Sequence, residues 1–173
     1  LLADDFDKET VKYLSAKGIV SVDVQGYLRK VEGEKVVAVD YDDKLEMLPY
    51  IGILKANEME METLTGTSDP REAARMLAGW GVKEVVLTLG DKGSLIYTGG
   101  EFHEIPAYPA KDLVDATGCG DTYMAGYLYK RSHGASCYEA GTFAAAMCSI
   151  KLGSKGPFSG SIADVEALIG SGR

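Results

Sequence analysis

The chain has 173 residues, 46% of them hydrophobic and 25% charged, and carries a net charge of −8 at pH 7. This length implies one domain with enough apolar material for a sizeable core, and an acidic chain without a basic, aromatic-interleaved stripe argues against nucleic acid or an anionic membrane as its main partner. The apolar runs fall short of a membrane span, no secretory leader pattern opens the chain, and Cys119, Cys137 and Cys148 form no CxxC pair, so the expectation is a cytoplasmic protein with reduced thiols.

Asp7 is a good N-cap for a helix through Val11 and Leu14 that stops at Gly18. Residues 19–24 are β-branched and read as a buried strand, followed by a charged excursion over 30–41 that suits an exposed ribbon or loop. Asp23 and Arg29 fall where a strand of a parallel sheet ends, the side on which open α/β sheets take ligands, although an exposed salt bridge explains them as well. Residues 51–56 make a second strand. Asn57 and Glu60 then match a capping box for a short helix ending at Gly66. Ser68-Asp69-Pro70 opens the next helix, with Ala73, Ala74, Met76, Leu77 and Trp80 as its apolar, core-facing side and Gly81 as its stop.

A third strand over 85–89 leads through Gly90-Asp91-Lys92-Gly93 into a fourth over 94–97, spacing that a glycine-turned hairpin explains without a ligand. Gly99-Gly100 turns the chain into an alternating edge strand over 101–107. His103 on that strand and His133 in a Ser-His-Gly-Ala loop are single surface histidines rather than catalytic ones. Ser136 and Glu139 form a capping box for an alanine-rich helix over 140–152, and Ser161 caps a last helix through Val165, Leu168 and Ile169. The alternation of helix and strand implies a mainly parallel sheet covered on both faces, a three-layer α/β/α sandwich.

The chemistry concentrates in Asp115-Ala116-Thr117-Gly118-Cys119-Gly120-Asp121, a glycine-rich turn that runs into a helix-prone stretch over 122–130. Glycines alternating with a small residue let backbone N–H groups converge, and a helix N-terminus adds positive potential at the same point, so the turn suits an anion. A carboxylate beside such a nest repels the anion unless it takes a proton from an attacking hydroxyl, which makes Asp121 a candidate general base. Helix-macrodipole stabilisation alone explains an Asp in a first turn equally well.

DATGCGDTYMAGYL resembles the C-terminal signature of the PfkB (ribokinase-like) family of carbohydrate kinases, DTxGAGD followed by a helix, with Ala116 in place of Thr and Cys119 in place of the middle Ala. The resemblance implies that Asp121 is the catalytic base and that Gly118, Cys119 and Gly120 form the anion hole for the transferring phosphate. It implies a ribokinase-like fold that lacks the N-terminal half and its lid, so that residues 1–173 are the C-terminal ATP-binding and catalytic part. Asn57 and Glu60 resemble the family's NxxE motif, with Asn57 approaching the nucleotide phosphates and Glu60 acting on Mg²⁺ through water. Thr88, Gly90, Asp91 and Gly93 lie in a stretch like the family's TLGxxG nucleotide loop, and Thr117 and Gly120 complete the ATP-binding set. Asp115 and Thr117 match positions that hold a monovalent cation such as K⁺ in several relatives, and the alanine-rich helix is the one that borders the adenine. Cys119 is read as a small-residue substitute rather than a reactive thiol.

The implied activity is ATP-dependent phosphorylation of a sugar hydroxyl. A vitamin or nucleoside kinase of the same superfamily, and a nucleotide-binding module inactive without an N-terminal half, are the alternatives. The acceptor is a small molecule, and surface left bare by a missing half favours self-association.

Overall fold

The computed structural model describes residues 6–172. The described residues form two compact units, one made of residues 6–88 together with Tyr97–Phe102, the other of Leu89–Ile96 with residues 103–172. In order, the elements are α1 (Lys8–Ser15), β1 (Ser21–Asp23), β2 (Arg29–Glu32), β3 (Lys35–Ala38), α2 (Lys44–Met47), β4 (Ile53–Asn57), α3 (Glu58–Thr65), α4 (Pro70–Gly79), β5 (Glu84–Thr88), β6 (Ser94–Thr98), β7 (Glu101–Ile105), α5 (Cys119–Ser132), α6 (Cys137–Leu152) and α7 (Ile162–Gly170). Strands β1, β4, β5, β6 and β7 follow one another in that order in a five-stranded mixed sheet flanked by helices, so the expected α/β architecture is the observed one.

In the first unit, β1 pairs parallel to β4 with Asp23 opposite Lys55, and β4 pairs parallel to β5 with Asn57 opposite Thr88. The first four residues of β4 and of β5 are all buried. Continuous burial rather than alternation is the mark of central parallel strands with helices on both faces. Leu77, Ala73 and Ala74 of α4 and Met61 and Leu64 of α3 supply apolar cover, each 2% exposed or less. Trp80, expected in that core, is only half-buried and carries the Lys44 ammonium 5.8 Å from its ring centroid, because α4 ends one residue before it and the chain turns at Gly81. The excursion after β1 is a short 3₁₀ turn and then the β2–β3 ribbon, an antiparallel pair with exposed side chains that turns at Gly33 in the left-handed region.

In the second unit, α5 and α6 pack closely through small residues. A Cβ on Gly126 would lie 3.2 Å from the Cα of Ala144, and one on Gly141 would meet Ile96 and Ile105 at 2.8 and 2.7 Å. That requirement explains a helix rich in Gly and Ala, with Ala140, Ala144 and Ala146 fully buried. Phe143 and Ala146 of α6 join Val165 of α7 in a cluster that Tyr108 and Phe158 complete.

Helix ends follow side-chain chemistry. Asp7, Asp69, Ser136 and Ser161 accept hydrogen bonds from first-turn amides as expected, and the Asn57–Glu60 capping box forms with both of its bonds. If the buried face of α4 holds the first unit together, Leu77→Ala should cost about 2–5 kcal/mol, whereas Leu45→Ala, at an exposed position, should stay within about 0.5 kcal/mol. Urea unfolding monitored by circular dichroism measures both.

Candidate functional site

Two constellations lie at the ends of elements, one in each unit. In the first, parallel pairing brings Asp23, the last residue of β1, beside Lys55, midway along β4, and the Lys55 ammonium sits 2.9 Å from Asp23 Oδ2 and 3.7 Å from Glu60 Oε2. Lys55 and Glu60 are both buried, so each charge depends on the other for the solvation it has lost. Glu60 Oε2 accepts the Asn57 amide at 2.8 Å, its Oε1 accepts from Gln25 Nε2 at 3.4 Å, and Asn57 Oδ1 accepts the Glu60 amide at 2.9 Å. Asp23 Oδ1 caps the 3₁₀ turn through the Gln25 amide at 3.1 Å. Asp23 therefore pairs with Lys55 and not with Arg29, which is exposed at the start of β2. Thr88 lies opposite Asn57, half-buried, with its hydroxyl donating to the Ala56 carbonyl at 3.5 Å. Sequence reading missed Lys55 and Gln25. The signal was present for Lys55, a lysine inside an otherwise apolar strand.

The second constellation is the turn before α5. Asp115 Oδ1 accepts the Thr117 amide at 2.9 Å, an Asx turn that bends the chain toward Gly118. Gly118 is the N-cap of α5 with φ +79°, a conformation that favours glycine, and a Cβ there would meet nothing within 4 Å. The Cys119 amide donates to the Ala116 carbonyl at 3.1 Å and the Thr122 amide to the Gly118 carbonyl at 2.9 Å. Among the described residues, the amides of Gly118, Gly120 and Asp121 have no backbone acceptor. Three donors thus gather at the positive end of a 14-residue helix, a setting that suits an anion. Asp121 lies in the first turn of α5, exposed, and its carboxylate has no partner among the described residues.

The turn is tied to the end of α6. The amides of Val114 and Asp115 donate to the Leu152 carbonyl at 2.8 and 3.4 Å, and the Lys151 ammonium donates to the Asp115 carbonyl at 2.8 Å. The same ammonium lies 3.6 Å from Asp115 Oδ2 and 3.4 Å from the Ser154 carbonyl. The Thr117 amide, with Lys151 beside it, holds the Asp115 carboxyl below the usual carboxylate range. Thr117 donates its amide to Asp115, and the Lys151 ammonium already engages the Asp115 carbonyl and lies beside its carboxylate, so these oxygens as arranged do not fit a further monovalent cation. Cys148 Sγ donates to the Cys119 carbonyl at 3.2 Å, and burial pushes the Cys119 thiol up, as a small packing residue requires. Tyr123 on α5 shares a 2.6 Å hydrogen bond with Ser94, and burial raises its hydroxyl too. Sequence reading missed Lys151 because a lysine ending a helix reads as an ordinary partner of the dipole.

Gly90 and Gly93 both have positive φ, +60° and +91°, and Asp91 between them is exposed. Their reasons differ. A Cβ on Gly90 would meet open space, whereas one on Gly93 would collide with the Ile105 carbonyl oxygen and lie 2.7 Å from the Ala107 nitrogen. Gly93 is thus accounted for by the close approach of its own chain. Among the described residues no group of three or more His, Cys, Asp or Glu side chains is placed to hold a metal ion directly. No helix there is long and apolar enough to cross a membrane.

This geometry can be set beside known proteins. The model of the pfkB family carbohydrate kinases matches residues 22–163, which include both constellations. The chain belongs to that family. A cytidine kinase of Thermococcus kodakarensis is 45% identical over 91 residues, covering 51% of this chain and 32% of the relative. A ribokinase of Arabidopsis thaliana is 38% identical over 117 residues, covering 64% and 31%. Among solved structures, a sulfate complex of a pyrophosphate-dependent kinase in the ribokinase family superposes with a TM-score of 0.85 at 34% identity, over 96% of this chain and 59% of that one. Arabidopsis thaliana ribokinase with ribose and ATP gives 0.79 at 30% identity, over 94% and 51%. The chain spans about a third of the length of these two curated relatives and somewhat more than half of the solved chains.

Gly93→Ala should destabilise the chain by at least about 2 kcal/mol in urea unfolding, since it combines a positive φ with a backbone collision. Asp115 should shape the acid limb of the stability curve. Its carboxyl lies below its ordinary value of 3.8 when folded, so its contribution is complete above that pH and disappears as the pH falls through the lowered folded value. The gap in melting temperature between wild type and Asp115→Asn should therefore be constant at neutral pH and close in strong acid.

Proposed function

We propose that this chain is the donor-binding and catalytic part of a kinase that transfers a phosphoryl group to a hydroxyl of a sugar or sugar-like acceptor. The observation that carries the reading is an exposed Asp121 carboxylate, without a partner among the described residues, one residue after Gly120, at a helix N-terminus where the amides of Gly118, Gly120 and Asp121 have no backbone acceptor among those residues. Phosphoryl transfer demands mostly positioning and charge neutralisation, and a base beside an anion hole supplies both.

Asp121 takes the proton of the attacking hydroxyl. The amides of Gly118, Gly120 and Asp121 donate to the oxygens on which negative charge develops in the transferring group, and Cys119 keeps the turn tight through its bond to Ala116. ATP is the donor in this reading, with Thr88, Gly90 and Asp91 at the nucleotide and Asn57 at the phosphates; Gly93 shapes the same loop by letting the chain pass. Mg²⁺, when bound, neutralises donor phosphate charge. Glu60 serves it through water, using the acceptor capacity left on Oε1, while the capping box and Lys55 fix the carboxylate in place. The 1–173 stretch is read as the C-terminal part of the enzyme, completed by an acceptor-binding half.

Two observations widen the donor and acceptor panel. The cytidine kinase relative favours nucleosides beside sugars as acceptors, and the pyrophosphate-dependent neighbour makes pyrophosphate the rival donor. Turnover is to be measured on the 173-residue chain and on a chain extended upstream, with ATP and with pyrophosphate, over sugars, polyols and nucleosides. Transfer should occur in the extended chain, and Asp121→Asn should lower it by roughly a hundredfold or more without weakening donor binding. A loss smaller than about tenfold removes Asp121 as the base. Donor binding without transfer to any acceptor leaves only a nucleotide-binding module.

A further inference from the structure

Lys151 occupies a place where lysine is costly. Its side chain has no solvent exposure, and an ammonium taken out of water is unfavourable unless neighbouring oxygens replace its hydration shell. Those oxygens are the Asp115 carbonyl at 2.8 Å, the Ser154 carbonyl at 3.4 Å and the Asp115 carboxylate at 3.6 Å. Two carbonyls and a carboxylate around one positive charge form the oxygen set that a hard metal cation would also take. Asp115 is moreover one of the two residues for which the family resemblance implied a monovalent-cation site. A second cation at these oxygens would meet the ammonium head-on at close range in a buried setting, where repulsion is poorly screened.

The ammonium does more than fill space. It grips the Asp115 carbonyl, Asp115 in turn fixes the Thr117 amide, and the Leu152 carbonyl next to Lys151 holds the amides of Val114 and Asp115. The shape of residues 114–117, and with it the start of α5, is thereby set from the end of α6.

We propose that Lys151 is a built-in cation: its ammonium takes the place of a mobile monovalent ion at the turn over 115–118 and makes the shape of that turn independent of K⁺. Through the turn it is also a positioning residue for Asp121. That second part rests on the kinase reading above; the replacement of the ion does not.

The test is a melting series in KCl, NH₄Cl, NaCl, LiCl and choline chloride at one ionic strength, on wild type and on Lys151→Ala. Wild type should melt within about 1 °C across the series. Lys151→Ala should melt roughly 4 °C or more lower in choline chloride and recover part of the loss in KCl or NH₄Cl, whose ions approximate the lost ammonium, but not in LiCl. Lysine that merely fills space predicts a loss that no particular salt repairs, and that result overturns the proposal. So does a wild type that K⁺ stabilises over choline by more than about 2 °C, or a variant as stable as wild type in choline. Should the alanine variant not fold in any salt, phosphoryl transfer by the wild-type extended chain decides: a rate unchanged by added K⁺ supports the proposal and a several-fold rise overturns it. Absence of transfer in every salt defeats the kinase reading alone, since the wild-type melting series still judges the replacement of the ion.

Discussion

The second unit depends on one buried charge finding its partners. An ammonium without solvent contact holds its place at the end of α6 only because Asp115 offers both a carbonyl and a carboxylate, with the Ser154 carbonyl beside them. The arrangement is reciprocal: the same contacts that make burial of Lys151 tolerable fix the segment from Val114 to Thr117. A loop that reads as flexible, with two glycines and two small residues in succession, thus becomes the rigid lead-in to a helix. Preorganisation of this kind is what an anion site requires, since amides that must reorganise around a developing charge stabilise it less.

The first unit orders its polar groups by another route. Parallel pairing sets Asp23 opposite Lys55 and Asn57 opposite Thr88, so the last residues of β1, β4 and β5 are polar and Lys55, midway along β4, faces the carboxylate that ends β1. The capping box gives Glu60 a structural duty at the start of α3, and Lys55 neutralises it. The capping box alone accounts for the placement of Asn57 and Glu60. Both carboxylate oxygens are held in place, and a carboxylate so held can orient water without being a direct ligand.

Membership of the pfkB family joins these constellations to a class of chemistry, and residue detail refines the correspondence. The amide of Cys119 is occupied by the Ala116 carbonyl, so among the described residues those of Gly118, Gly120 and Asp121 are the ones at this turn without a backbone acceptor. Gly93, part of a nucleotide-loop pattern, has a steric reason of its own in the passing backbone of Ile105 to Ala107. A motif can thus hold a glycine that a ligand needs, as an open Gly90 would be, beside one that the chain itself needs.

Much of this protein was determined by local chemistry and is legible in sequence. Asp7, Asn57, Asp69, Ser136 and Ser161 cap the helices they precede because a side-chain oxygen three residues from an orphan amide has few better places to go. Strands over apolar, β-branched runs and the glycine turn before α5 follow from equally local preferences. What only tertiary structure decided are the pairings between distant residues: Lys55 with Asp23 and Glu60, Lys151 with Asp115, Cys148 with the Cys119 carbonyl, and a Trp80 left half-buried where its helix pattern placed it in the core. A lone lysine in sequence is by default a solvated charge. Only packing that removes its water, and sets backbone oxygens in their place, turns Lys151 into the group that holds the turn before α5.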